Sequence, residues 1–117
     1  MKLVVNLVLG LNRAALAEGL AFARACGFNP ADALKILAAG PAYSRAMDTK
    51  GRKMLEHDFT PQARLSQHLK DVRLILAAGA STGARLPLSE VHRRLLEQVE
   101  RAGFGDADNS AILKAYE

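Results

Sequence analysis

Tryptophan is missing from this chain, and aromatic residues of all kinds make up only 5% of it. A stacking platform for nucleic-acid bases cannot be assembled from so few rings. The scarcity also argues against strands, which draw on aromatic and β-branched residues, while the abundant alanine and leucine favour helices. There is a single cysteine, Cys26, so no internal disulfide can form, which fits a reducing, cytoplasmic setting. No G-x-G-x-x-G and no phosphate loop occur, so nothing obviously cradles a nucleotide. His57, His68 and His92 have no metal-ligand spacing with one another or with Cys26, so no metal is expected. All three are expected as partly exposed surface histidines, and Cys26 as a core residue. No serine stands in a nucleophile elbow.

What is present is apolar and mildly basic. Half of the 117 residues are hydrophobic, enough for one domain, residues 1–117, with a real core. The net charge of +4 comes from scattered residues. Arg45, Lys50, Arg52 and Lys53 form one neighbourhood and Arg93 and Arg94 another, each broken up by acidic residues. Charge alone therefore makes a weak case for a nucleic-acid partner, and none is expected.

The N-terminus imitates a secretory signal: Lys2, an apolar run from Leu3 to Leu11, then Ala15-Leu16-Ala17. Asn6 interrupts the run, Arg13 separates it from the small residues, and the helical pattern continues beyond them. We expect a helix here and not a leader. The run is also too short to span a bilayer, so no membrane partner is expected.

Periodicity predicts a long helix from Lys2 to Cys26, ended by Gly27, greasy enough to be surrounded by other helices. Gly10, Ala14, Gly19 and Ala23 place small residues along it where a neighbouring backbone can approach. Asn29-Pro30 starts a second helix that stops at Gly40-Pro41. Residues 42–55 look less regular, one or two short helices with Lys50-Gly51-Arg52 as a break. Thr60-Pro61 opens another long helix with the stripe Leu65, Leu69, Val72, Leu76 and Ala80. Gly79 is a close-approach position and Gly83 the terminator. A charged amphipathic helix spans roughly Ser89 to Ala102, and Asp108 caps a short last helix reaching Tyr116. No strand alternation is found. The expected fold is all-α, a helical bundle built round two long helices.

Two constellations could carry chemistry. Lys2 and Asn6, at i and i+4, share one helix face. A lysine in the first turn sits at the positive end of the helix dipole, which favours loss of its proton and suits acid–base work. Lys70-Asp71 lies in the middle of the second long helix, beside the stripe residues Leu69 and Val72.

These residues form an ordered series: Lys2-Leu3-Val4-Val5-Asn6, Ala25-Cys26-Gly27-Phe28-Asn29-Pro30, Leu69-Lys70-Asp71-Val72-Arg73-Leu74 and Gly103-Phe104-Gly105-Asp106-Ala107-Asp108-Asn109-Ser110-Ala111. The series covers nearly the whole chain. It resembles the C-terminal helical domain of the β-hydroxyacid dehydrogenases, the 3-hydroxyisobutyrate dehydrogenase-like family, whose fold is that of the 6-phosphogluconate dehydrogenase C-terminal domain. The resemblance implies that a separate N-terminal Rossmann domain holds most of an NAD or NADP cofactor. It implies Lys2 as the catalytic lysine, Asn6 as a substrate-binding residue, and Lys70 with Asp71 as cofactor contacts. Phe59 would be an aromatic residue near the cleft. A small β-hydroxyacid or semialdehyde would be the substrate, and a homodimer or larger homo-oligomer would form through the helical domain. Two departures stand out: Met1 precedes Lys2 where the family has glycine-rich sequence, and Val5 stands where many members carry a second asparagine. We expect a separately expressed domain or a fragment, inactive by itself. The competing expectation is a non-enzymatic helical dimerisation or interaction module.

Overall fold

The computed structural model describes all 117 residues. Five α-helices follow in order: α1 (Lys2–Ala25), α2 (Pro30–Ala39), α3 (Arg45–Glu56), α4 (Leu65–Thr82) and α5 (Pro87–Val99). A π-helical turn (Glu100–Phe104) extends α5, and a 3-10 helix (Asn109–Tyr116) closes the chain. The bundle is all-α, organised round α1 and α4, as the composition predicts. Its principal extents are 43 × 32 × 24 Å.

Helix α1 is the spine, packing against α3, α4, α5 and the 3-10 helix. Its middle supplies Leu16, Ala17 and Leu20 to a core shared with Met54, Leu65, Leu69, Val72, Leu96 and Ile112. It ends where predicted. Gly27, at φ 87°, takes the left-handed conformation that side chains disfavour. This lets the amide of Phe28 donate to the carbonyl of Ala23 and that of Gly27 to Arg24, a Schellman cap. Asn29 caps α2 as expected, its Oδ1 accepting from the amide of Ala31 at 2.8 Å.

The expectation that α1 is surrounded fails at its N-terminal end. Val4, Val5, Val8 and Leu9 are 42–57% exposed, and the first buried residue of the helix is Gly10. The whole helix is 24 residues long, longer than the run at its start, and by length and composition alone it could cross a membrane. Its middle packs into the bundle core through Leu16, Ala17 and Leu20.

Other boundaries differ for identifiable reasons. Residues 45–56 are one continuous helix. Gly51 does not break it; a Cβ there would lie 2.8 Å from Leu34, so the glycine admits α2. Gly19 faces open space, so the small-residue argument holds for Gly10 and Ala14 but not there. Helix α4 begins at Leu65, not at Thr60-Pro61. The amides of Gln62 and Ala63 donate to the Asp108 carboxylate, and the amides of Leu65 and Asn109 bond to Ala107 and Ala63. That extended pairing holds residues 62–64 out of the helix. Within α4 the stripe shifts slightly: His68 and Ile75 are buried, and Ala80 is exposed.

Candidate functional site

Asn6, Leu9 and Arg13 recur at i, i+3 and i+7, and so project from one face of α1. That face meets Gln67, His68 and Asp71 of α4 and Arg64, the residue that precedes the helix. Between the helices runs a groove of about 170 Å³, lined also by Ala63 and Asn109. Only two of its nine lining residues are apolar, unusual for a bundle of this composition. Helices this close need a small residue at the crossing. Gly10 supplies it: a Cβ there would sit 2.3 Å from Nε2 of His68.

Of the four residues singled out in the sequence, Asn6 and Asp71 line this groove. Lys2 is exposed in the first turn of α1, one turn before Asn6 on the same face. Lys70 is exposed on α4 beside Asp71. None of the four forms an ion pair or a side-chain hydrogen bond within the chain. Four polar groups with no internal partner are free to engage a ligand. Phe59 is half-buried, edge-on to Phe104 with ring centroids 6.2 Å apart, which places it in packing.

The histidines divide differently from the sequence expectation. His57 is exposed, but His68 and His92 are 8% and 4% exposed, with ring centroids 5.4 Å apart. Burial first, then the charge of Arg13, pushes the pKa of His68 down to about 3 and of His92 to about 4. Both rings are therefore neutral near pH 7. Their positions on the buried stripes of α4 and α5 were the available signal. Cys26, expected in the core, is exposed at the end of α1.

Sequence reasoning also missed Lys50 and Asp108 as a pair. Lys50 Nζ donates to both carboxylate oxygens of Asp108 at 2.9 and 3.0 Å, with side chains 8% and 0% exposed. Asp108 also accepts from the amides of Gln62, Ala63 and Ser110. Burial raises its pKa, but these hydrogen bonds outweigh that and hold the carboxyl far below the usual range. The pair fastens α3, the α4 entry and the 3-10 helix together.

A larger hollow of about 330 Å³ lies at the other end of α1, among Leu20, Met54, Leu55 and Leu113. It is mainly apolar and offers no constellation suited to proton transfer. The polar groove is the candidate site despite its smaller size.

The family described as NAD-binding of NADP-dependent 3-hydroxyisobutyrate dehydrogenase matches residues 1–116. The chain belongs to this family, whose cofactor is NAD or NADP. It is 33% identical to 2-(hydroxymethyl)glutarate dehydrogenase of Eubacterium barkeri, over all of this chain and 39% of that protein. It is likewise 33% identical to cytokine-like nuclear factor N-PAC of Gallus gallus, over 99% of this chain and 21% of that one. The fold matches a 3-hydroxyisobutyrate dehydrogenase from Salmonella typhimurium with a TM-score of 0.93 at 24% identity, covering 97% of this chain and 40% of that one. The chain thus spans well under half the length of the relatives it matches.

Proposed function

We propose that this chain is the substrate-side, dimer-forming helical part of an NAD(P)-dependent dehydrogenase acting on a small β-hydroxyacid or its semialdehyde. The observation that carries the reading is that Asn6 and Asp71, far apart in sequence, line one polar groove. Lys2 stands one turn beyond Asn6 on the same helix face, and Lys70 beside Asp71.

The residues present fit a cofactor that is held mostly elsewhere. A groove of about 170 Å³ falls short of the roughly 300–1,000 Å³ of ordinary ligand pockets, so it would meet only part of a dinucleotide. Lys70 and Asp71 would contact that part, Lys70 as a cation for a polar or anionic edge and Asp71 as an acceptor. When bound, the cofactor takes a hydride from the hydroxyl-bearing carbon or returns it to the carbonyl.

The protein's own contribution is acid–base chemistry. In oxidation, Lys2 as the neutral amine takes the hydroxyl proton as the carbon loses its hydride, so a carbonyl forms without a free alkoxide. In reduction, Lys2 as the ammonium returns that proton and stabilises charge on the oxygen. The Asn6 amide, one turn along, holds the substrate oxygen against Lys2.

Alone, with NAD or NADP and 3-hydroxyisobutyrate, the chain is expected to produce no change in nicotinamide absorbance; robust turnover would refute its dependence on a further domain. In the assembled enzyme, Lys2→Ala is expected to lower kcat by about 100- to 10,000-fold. Unchanged turnover would remove Lys2 from the chemistry.

A second reading has its own support. The exposed Val4, Val5, Val8 and Leu9 form an apolar surface on α1 suited to a second copy or to another protein. A relative named for a nuclear factor matches as well as one named for a dehydrogenase. A non-enzymatic interaction module would retain self-association in a Lys2→Ala, Asn6→Ala double variant and show no hydride transfer in any assembly.

A further inference from the structure

The groove contains a positive charge that the chain itself leaves without a hydrogen-bond partner. Arg13 lines the groove, and its Nε and Nη1 are shut off from solvent with no acceptor in the chain within hydrogen-bond distance. Burying a guanidinium without pairing it is costly. The nearby carboxylate of Asp108 is already saturated by Lys50 and by the amides of Gln62, Ala63 and Ser110. His68 and His92 are held neutral and add no charge of either sign.

A second unpartnered group lies beside it. Asn109 is 5% exposed, lines the same groove, and has its Oδ1 buried without a donor. Turning that amide about its last bond puts a donor in the same place. The remaining charges of the groove are Arg64, exposed and only loosely paired with Asp106 at 3.7 Å, and Asp71. Arg13, Arg64 and Asn109 line the groove together with Asn6 and Asp71. With two arginines against one carboxylate, the groove is net positive and rich in donors.

We propose that the groove holds a subsite for a small oxyanion at these buried groups, with Arg13 as its principal ligand and Asn109 as a second donor. A carboxylate and a phosphate share the required chemistry, two or more oxygens matching the guanidinium fork. Seven residues separate Asn6 from Arg13, about 10 Å along the helix axis. That is too far for the group beside the reacting carbon. It suits a second acidic group farther along a substrate, so that the enzyme would select hydroxyacids carrying two anionic ends. Assigning the anion to the substrate rests on the dehydrogenase reading above; the anion subsite itself does not.

The test is binding to the isotopically labelled chain, followed at the Arg13 Nε–H resonance, with glutarate and inorganic phosphate as probes at constant ionic strength. A saturable shift with glutarate, lost in Arg13→Gln and about tenfold weaker in Arg13→Lys, is the expected result. Preference for glutarate assigns the subsite to a substrate carboxylate, and preference for phosphate assigns it to a phosphate group. No saturable shift of the wild-type resonance with either anion overturns the proposal. Because no hydride transfer is measured, an inactive dehydrogenase with intact anion binding would sink only the enzymatic reading.

Discussion

Lys50 and Asp108 lie 58 positions apart and meet at 2.9 Å in the core, whereas Lys70 and Asp71 are sequence neighbours that form no ion pair. Successive residues on a helix do not face each other, so adjacency gives Lys70 and Asp71 no contact. Burial gives Lys50 and Asp108 theirs, since neither charge could stay there unpaired. The same two residue types thus serve opposite ends. The buried pair is consumed in holding three segments together, whereas the exposed Lys70 and the half-buried Asp71 stay available to something outside the chain.

Breaking the buried pair should have the largest effect. Asp108→Ala leaves Lys50 buried without its counter-ion and strips an acceptor from the amides of Gln62, Ala63 and Ser110. A loss of about 3–5 kcal/mol is expected, read from urea unfolding midpoints. Lys50→Met should cost less, because the backbone amides still solvate Asp108. Equal losses in the two variants would mean that the charge pairing, not the amide bonds, dominates.

Acid should separate the core from the groove by a second route. His68 and His92 have folded pKa values near 3 and 4, below the unfolded value of 6.5, so the native state binds fewer protons. Their contribution is complete above pH 6.5 and is lost as pH falls towards those folded values. At pH 5 the loss is about 2 kcal/mol for each ring. The Asp108 contribution is present above 3.8 and declines only below that, so the two windows do not coincide. Unfolding midpoints between pH 7 and pH 4 should fall steadily in the wild type and about half as steeply in His92→Gln. A flat profile would show that both rings are solvated.

Much of the bundle was legible because it rests on local chemistry. Asn29-Pro30, Gly27 and Gly83 declare helix ends through backbone preferences that no tertiary contact overrides. The errors arose where distant residues decide. Thr60-Pro61 carries a good start signal, yet Asp108 and Asn109 hold the following residues extended until Leu65. Lys50-Gly51-Arg52 has the composition of a break, but Asp108 and Leu34 make it mid-helix. His68 was hidden by its polarity, although it lies on the stripe between Leu65 and Val72. For the site, Asn6 and Asp71 could be proposed from spacing and resemblance, and the groove that joins them needed the packing of α1 on α4. Arg13 gave no signal at all, since one arginine in an apolar helix looks like an ordinary surface charge.

The smallest effect on stability should come from the adjacent pair, and that smallness is informative. Lys70→Ala removes an exposed side chain with no internal partner, so unfolding midpoints should move by no more than about 0.5 kcal/mol. If Lys70 contacts the cofactor, the same variant should raise the cofactor KM of the assembled enzyme while leaving the substrate KM near its original value. Asp71→Asn, in the groove, should disturb both constants, because Asp71 lines the same groove as Asn6. A Lys70→Ala enzyme with unaltered cofactor KM would make the adjacent pair as idle in function as it is in folding. The contrast with Lys50 and Asp108 would then reduce to one of burial alone.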